Sequence, residues 1–297
     1  MVDVPAARAA AGLAASLRPR QWTKNGALLA PLLFSSRATD PESAARALAG
    51  VVAFCLVAGA VYLANDVVDR ERDQLHPEKR LRPVASGALA PRAAAIAAAL
   101  LAAGGLAVSA ALGPAFLSCA AAYVALQAVY VAQLRERVLL DVFAIAAGFV
   151  LRVVAGAAAI AVPVSSWLHL CTMLLALFLA LAKRRAEIVA LSGAAPRHRA
   201  ILAEYSVALV DQLVAIVAAA AVLAYALYTL APETVGRFGN ERLRFTVPLV
   251  VFGIFRYLYL VHRRAAGGSP ERVLFADRAT QVNLLAYVAI AAWAVYG

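Results

Sequence analysis

From residue 21 onward the chain repeats one pattern: an apolar run close to the ~20 residues that cross about 30 Å of hydrocarbon as a helix, closed by a basic or Gly/Pro-containing break. Nine runs are read, at 21–36, 44–64, 91–112, 114–134, 139–161, 164–183, 204–230, 243–261 and 279–297. The first is short, and Leu112-Gly113-Pro114 marks a turn between the third and fourth. The repetition predicts an all-α, polytopic membrane protein, with nine transmembrane helices in a single domain over residues 1–297. Composition agrees: 64% of the 297 residues are hydrophobic and 15% charged, with mean hydropathy +0.78, well above a soluble domain. The longest polar connections, 65–90, 184–203 and 262–278, read as loops or short cap helices and leave no soluble second domain. Residues 1–11 hold Asp3 and Arg8 but no separate apolar core with a cleavage site, so the first span is expected to serve as its own insertion signal. Cys55, Cys119 and Cys171 fall in apolar runs without CxxC or His spacing, which reads as core packing rather than a metal cluster or disulfide framework.

Orientation follows from where the 28 Lys and Arg residues fall. Twenty-one lie before or at the start of the first span (Lys24 among them) or in the connections near 65–92, 135–137, 183–199 and 263–278. Five (Arg37, Arg46, Arg237, Arg242 and Arg244) lie on the other side, and Arg152 and Arg256 fall within spans. The positive-inside rule then puts the N-terminus and the polar loops in the cytoplasm and the C-terminus outside, in the inner (plasma) membrane. This topology, with attraction to anionic membrane lipid and an anionic substrate, accounts for the net charge of +11. No nucleic acid is expected as a partner, because the cations are spread over five loops rather than gathered on one face.

At the end of the second run stands NDVVDRERD, residues 65–73. Continued as helix at 100° per residue, it places Asn65, Asp66, Asp69 and Asp73 within an arc of about 100°, with Val67 and Val68 on the other side. Three carboxylates so close repel each other unless a cation joins them, and hard oxygen ligands of this kind suit Mg²⁺. Magnesium is commonly shared between carboxylates and substrate phosphates. The spacing therefore predicts a Mg²⁺–diphosphate site at the membrane edge. An EF-hand is excluded by the absence of alternating acids with a central Gly and a late Glu. A merely solvated helix end, its acids paired with Arg70 and Arg72, is the plainer alternative. The nearness of Asn65 and Asp66 to the apolar run argues against it, since ionisable groups there are costly.

The following loop, HPEKRLRPVASG (76–87), brings Lys79, Arg80 and Arg82 close behind the acidic face. Guanidinium groups grip phosphate oxygens in pairs, so metal ligands and phosphate-binding cations come from one stretch of chain. His76 reads as a loop residue rather than a base, and Pro91 fits the first turn of the next helix.

NDxxDxxxD at the end of a second span, followed by a basic loop ending RPVASG, resembles the UbiA superfamily of intramembrane prenyltransferases. The resemblance implies nine helices around a central cavity, with polar sites beneath a cytoplasmic cap and a lateral opening to lipid. Aromatic prenyltransferases of that superfamily carry a second aspartate-rich motif after the sixth span, where this chain has KRRAE, residues 183–187. Lys183, Arg184 and Arg185, with Glu187, would replace a metal-mediated grip on phosphate by a direct cationic one. With RPRQWTKN (18–25), LLDVFAIAAGFVLRVVAGA (139–157) and ADRATQ (276–281), nearly the whole chain is similar to the branch that transfers 5-phosphoribose. Before the fifth span, that branch often has Lys where Tyr130 is followed here by Arg135. The implied reaction moves 5-phosphoribose from 5-phosphoribosyl 1-diphosphate (PRPP) to a polyprenyl (decaprenyl) phosphate, an entry to lipid-linked arabinose donors for cell-wall polymers. In that reading Asp66, Asp69 and Asp73 hold Mg²⁺ on the departing diphosphate and Asn65 orients it. The lipid phosphate attacks C1 with inversion, and being an anion it needs no general base.

Other polar residues are read more openly. Asp141 and Arg152 share a helix face but differ in height by about 16 Å, so they cannot pair directly and would line one cavity at two depths; for Arg152 an internal ion pair is the alternative. Gly148 between them leaves room for a ligand or for close packing. Arg20 and Lys24, beside Trp22, either meet the lipid phosphate or snorkel to anchor the first helix. Arg256, Asp277 and Arg278 flank the last cytoplasmic loop, where contact with ribose phosphate is one reading. Asp211, in the seventh run, is read as polar lining or as structural. Self-association into a homo-oligomer is compatible with this pattern. Two further function classes are an aromatic prenyltransferase using a prenyl diphosphate, against which KRRAE speaks, and a divalent-ion transporter. The transporter would place acids nearer mid-membrane or on broken helices.

Overall fold

The computed structural model describes residues 4–76, 79–190, 204–263, 273 and 275–297. Asp3, the pair Pro77 and Glu78 of the basic loop, and Arg197, Arg199, Arg264 and Arg272 among the counted cations lie outside the described residues. The described chain is helical. Among the described residues eight helices are long and apolar enough to cross a membrane: Pro41–Val68, Pro91–Leu112, Pro114–Ala132, Leu140–Ala159, Ser166–Val189, Val207–Leu230, Arg242–Arg263 and Arg278–Tyr296.

The ninth expected span, 21–36, is not among them. That stretch folds as a 3₁₀ helix over Pro19–Leu29 followed by a short α-helix, Ala30–Phe34. Such a long 3₁₀ run is uncommon. Its physical consequence is reach: at ~2.0 Å per 3₁₀ residue and ~1.5 Å per α residue, the stretch drawn out straight is roughly 30 Å long. It can thus match the thickness of a bilayer with fewer residues than an α-helix needs.

Helix starts follow local chemistry. Pro41, Pro91, Pro114 and Pro232 each open a helix, where the missing N–H costs nothing. The Asp40 carboxylate caps the first of these, accepting from the Glu42 and Ser43 N–H groups at 3.3 and 3.2 Å, and Ser206 Oγ accepts from Leu209 N–H at 3.1 Å. Gly113, at φ 118°, makes the expected turn between Leu112 and Pro114, a conformation that an L side chain would strain.

The chain divides into two compact units. Unit 1 comprises 1–32, 40–131 and 151–162. In it the Pro41–Val68 and Pro91–Leu112 helices meet through small residues: a Cβ on Gly105 would stand 2.7 Å from Val57 Cγ2 and 3.1 Å from the Ala53 carbonyl oxygen. Around this contact Phe54 packs edge-on against Phe116, with ring centroids 5.7 Å apart. Arg46 donates to the carbonyls of Ala159 (2.6 Å) and Leu112 (2.8 Å), so one guanidinium serves the C-terminal ends of two helices. Unit 2 comprises 33–39, 132–150 and 163–297. Its core gathers Val142, Phe178, Leu181, Val210 and Tyr257, and a second cluster joins Phe34, Tyr228, Leu243, Tyr287 and Ala291.

Candidate active site

The acidic face of unit 1 forms where the Pro41–Val68 helix ends. Asp69 caps it with φ −88° and ψ 7°, its N–H bonded to the Asn65 carbonyl at 2.8 Å, and a short helix, Arg70–Gln74, resumes directly. The helical continuation expected across 65–73 thus pauses for one residue, in the sparsely populated bridge region where active-site residues often sit. The face survives the pause. Asp66 and Asp73 are buried while Val68 is 71% exposed, and Asn65 and Asp69 are partly buried between them.

Both buried carboxylates converge on one cation. Arg82 Nη1 lies 2.7 Å from Asp73 Oδ2 and 3.3 Å from Asp66 Oδ1. A second guanidinium, that of Arg18, reaches the same Asp66 oxygen with Nη2 at 2.6 Å and lies over the Tyr62 ring, 4.9 Å from its centroid. Arg18, rather than the expected Arg20 or Lys24, is the cation of the first segment that reaches this face. Its signal is conformational: it stands at φ 50°, ψ 60° immediately before Pro19, and left-handed non-glycine residues cluster where structure over-determines them. Arg20 is exposed and Lys24 partly buried on the 3₁₀ segment. Lys79 and Arg80 are exposed on a short 3₁₀ turn, and the Lys79 N–H donates to His76 Nδ1 at 3.3 Å, which leaves His76 as a loop residue.

This donor set fits Mg²⁺. It is made of hard carboxylate oxygens, two of which already share a positive group at bonding distance. No three His, Cys, Asp or Glu side chains form a closed cage among the described residues. A Mg²⁺ shared with substrate phosphate needs no closed protein cage, because waters and phosphate oxygens complete its shell.

Deeper in unit 1, Arg152 is 4% exposed. Its Nε donates to Asn25 Oδ1 at 2.8 Å and its Nη2 to the Tyr123 hydroxyl at 2.9 Å, with the guanidinium 4.6 Å from the Tyr123 ring centroid. Asn25 in turn donates to Cys55 Sγ at 3.2 Å. This network ties the 3₁₀ segment to the Leu140–Ala159 helix. Neither Asn25 nor Tyr123 was singled out from sequence, because each is an ordinary residue whose partner is 127 or 29 positions away.

Unit 2 holds its own polar cluster. Asp141, fully buried, accepts from Arg184 Nη2 at 2.5 Å and from the Tyr205 hydroxyl at 2.9 Å, and the Tyr205 oxygen accepts from Leu139 N–H at 2.7 Å. Burial, reinforced by the Asp141 charge, pushes the Tyr205 hydroxyl up to about 12, so it remains a donor at neutral pH. Arg184 also bonds Glu187, Arg185 Nε bonds Asp211 Oδ1 at 2.5 Å, and His262 Nε2 is 3.5 Å from the same oxygen. Lys183, partly buried, lies 3.9 Å from Glu187. Tyr130 lies in the last turn of Pro114–Ala132 and Arg135 in the 3₁₀ turn Leu134–Glu136.

At the start of the last helix, Asp277 accepts two bonds from Arg256, Nε to Oδ2 at 3.1 Å and Nη2 to Oδ1 at 2.7 Å, and caps the helix by accepting from Thr280 N–H at 2.9 Å. Arg278 beside it is exposed. The Arg256 guanidinium and the capping N–H hold the Asp277 carboxyl well below the usual carboxylate range. Its stabilisation is therefore in force above about pH 4, the unfolded carboxylate value, and is lost only as pH falls through the depressed folded value. Asp277→Ala should lower stability by about 1–2 kcal/mol at neutral pH, read as a lower melting temperature in detergent, with Asp277→Asn recovering part of the loss through the cap.

Residues 26–276 match the UbiA prenyltransferase family. Among curated relatives, a decaprenyl-phosphate phosphoribosyltransferase of Mycolicibacterium smegmatis is 31% identical over 295 residues, covering 96% of this chain and 92% of that one. One of the same name from Corynebacterium glutamicum is 33% identical over 296 residues, 98% of this chain and 89% of that one. Among solved structures, a UbiA homologue from Archaeoglobus fulgidus bound to GPP and Mg²⁺ superposes with a TM-score of 0.72 at 17% identity, covering 96% of this chain and 100% of that one.

Proposed function

This chain belongs to the UbiA prenyltransferase family, and from that premise we propose that it transfers 5-phosphoribose from PRPP to a polyprenyl phosphate, releasing diphosphate. The observation that carries the chemistry is the convergence of buried Asp66 and Asp73 on a single cationic position at the end of a span. The near-full-length relatives favour phosphoribosyl transfer over prenylation of an aromatic acceptor and over transport. Asp66, Asp73 and Asp69 would hold Mg²⁺, with Asn65 orienting the leaving group. When bound, the ion supplies charge neutralisation for the departing diphosphate. Arg82, Lys79 and Arg80 bind phosphate oxygens, and Lys183, Arg184 and Arg185 supply the cationic phosphate grip of unit 2. The lipid phosphate is itself the nucleophile, so the chain contributes position and charge rather than a general base.

The test is to incubate the purified protein with labelled PRPP, decaprenyl phosphate and Mg²⁺ and to look for label in the organic phase. Label that stays aqueous, while a prenyl diphosphate is consumed with an aromatic acid, rejects this reading.

The same reading puts the N-terminus and the acidic face in the cytoplasm, which requires the 3₁₀-containing stretch 19–34 to cross the membrane. In a background with Cys55, Cys119 and Cys171 replaced by Ala, Ala10→Cys and Ser86→Cys should both be shielded from an impermeant maleimide in intact cells, and Glu241→Cys labelled. Labelling of Ala10→Cys with Ser86→Cys shielded would mean that the stretch does not cross.

A further inference from the structure

Arg18 pairs with Asp66 more closely than Arg82 does, yet phosphate binding by Arg82, Lys79 and Arg80 leaves it without a task. Its Nη2 stands 2.6 Å from Asp66 Oδ1, against 3.3 Å for Arg82 Nη1 on the same oxygen. The pair is asymmetric: the Asp66 side chain is 2% exposed and that of Arg18 31%. The guanidinium thus covers the carboxylate on its solvent side, lying over the Tyr62 ring from a residue whose backbone is left-handed. Two cations on one carboxylate oxygen occupy the position that a metal ion would need.

The charges decide what can enter. Asp66 and Asp73 are balanced by Arg18 and Arg82. A divalent cation arriving alone would leave the four groups with two uncompensated positive charges, and a diphosphate arriving alone would face two buried carboxylates. Arriving together they leave every charge partnered: metal on carboxylate, guanidinium on phosphate. A guanidinium suits such an exchange, because its planar fork serves carboxylate and phosphate oxygens equally well and its long, partly solvated stem can swing without disturbing the core.

Resting on the metal–diphosphate reading above, we propose that Arg18 is a partner-exchange residue: it neutralises Asp66 in the resting site and moves to a diphosphate oxygen when a divalent cation takes Asp66. Metal and diphosphate consequently bind as one unit, and neither binds well alone.

The experiment measures the two affinities separately on the full-length protein in detergent, with Mn²⁺ as an EPR probe and PRPP kinetics in Mg²⁺. Arg18→Gln removes the competing cation, so Mn²⁺ alone should bind about tenfold tighter, while the KM for PRPP should rise by about tenfold or more. Arg18→Lys keeps the charge but loses the fork; its Mn²⁺ affinity should stay within about twofold of the parent while KM still rises. Unchanged or weaker Mn²⁺ binding in Arg18→Gln, or equally tightened binding in Arg18→Lys, overturns the proposal. A residue with a purely structural role would not tighten metal binding. In the unmodified protein, inorganic diphosphate should raise the protein-bound fraction at fixed free Mn²⁺; a bound fraction indifferent to diphosphate overturns the exchange whatever the variants do. The underlying metal reading fails separately, if Asp66→Asn binds Mn²⁺ as the parent does.

Discussion

Asp66→Asn should cut phosphoribosyl transfer by roughly 10²–10³-fold or more, the scale seen when one charge-stabilising group is removed from a reacting centre. The fold should survive. Asparagine keeps the size of the side chain and an oxygen acceptor for one of the two guanidinium groups. Arg18, which loses its counter-charge, and Arg82, which keeps Asp73, have side chains 31% and 29% exposed, so water can solvate them. Removing the negative charge therefore separates chemistry from folding. The measurements are turnover with labelled PRPP, Mn²⁺ binding, and melting temperature in detergent. Near-normal turnover in Asp66→Asn, and likewise in Asp69→Ala, would remove the metal assignment.

Gly156→Ala should be the most damaging single methyl in unit 1. A Cβ at Gly156 would lie 2.1 Å from the Leu28 carbonyl oxygen and 2.8 and 2.9 Å from the Leu28 C and Cα atoms. All three are backbone atoms, so no rotamer change relieves the clash. The 3₁₀ segment cannot simply retreat, because Asn25, one turn before Leu28, is fixed by Arg152 at 2.8 Å. Overpacking against a pinned backbone is expected to cost about 3 kcal/mol and to appear as a lower melting temperature and reduced yield. Gly26→Ala is the matched control: a Cβ there meets nothing within 4 Å, and the change should stay within about 0.5 kcal/mol. Equal behaviour of the two variants would show that the close approach at Gly156 does not constrain the fold.

These cases mark how far the residues alone could be read. Apolar runs give helix positions within a few residues because burying a backbone in lipid leaves few choices; Pro91–Leu112 and the Gly113 turn stand where the pattern puts them. Asp66 and Asp73 emerge as a buried pair because helical spacing alone brings them to one side. The run 21–36 is apolar enough to be read as a span, but its 3₁₀ winding is not legible, since hydropathy is silent on whether a helix winds at 3.0 or 3.6 residues per turn. Arg18 is indistinguishable from Arg20 for a different reason: RPR offers two chemically identical cations, and the left-handed backbone at Arg18 decides which one meets Asp66. KRRAE shows a third limit. Composition reveals its charge, but the partners of Arg184 and Arg185 are Asp141 and Asp211, 43 and 26 positions away, and long-range pairing leaves no local trace.

Arg46 has a consequence for the order of assembly. Its two carbonyl partners lie 66 and 113 residues further along the chain, so its own helix is synthesised long before they emerge. During synthesis the side chain must wait, solvated at the membrane surface, until both later helices have been inserted. Because the second of those is Leu140–Ala159, whose first half belongs to the other unit, the set of contacts in unit 1 is not complete until residues 132–150 of unit 2 have been synthesised. A ribosome paused before residue 159 should therefore carry a protease-sensitive unit 1 that becomes resistant only after that helix is released.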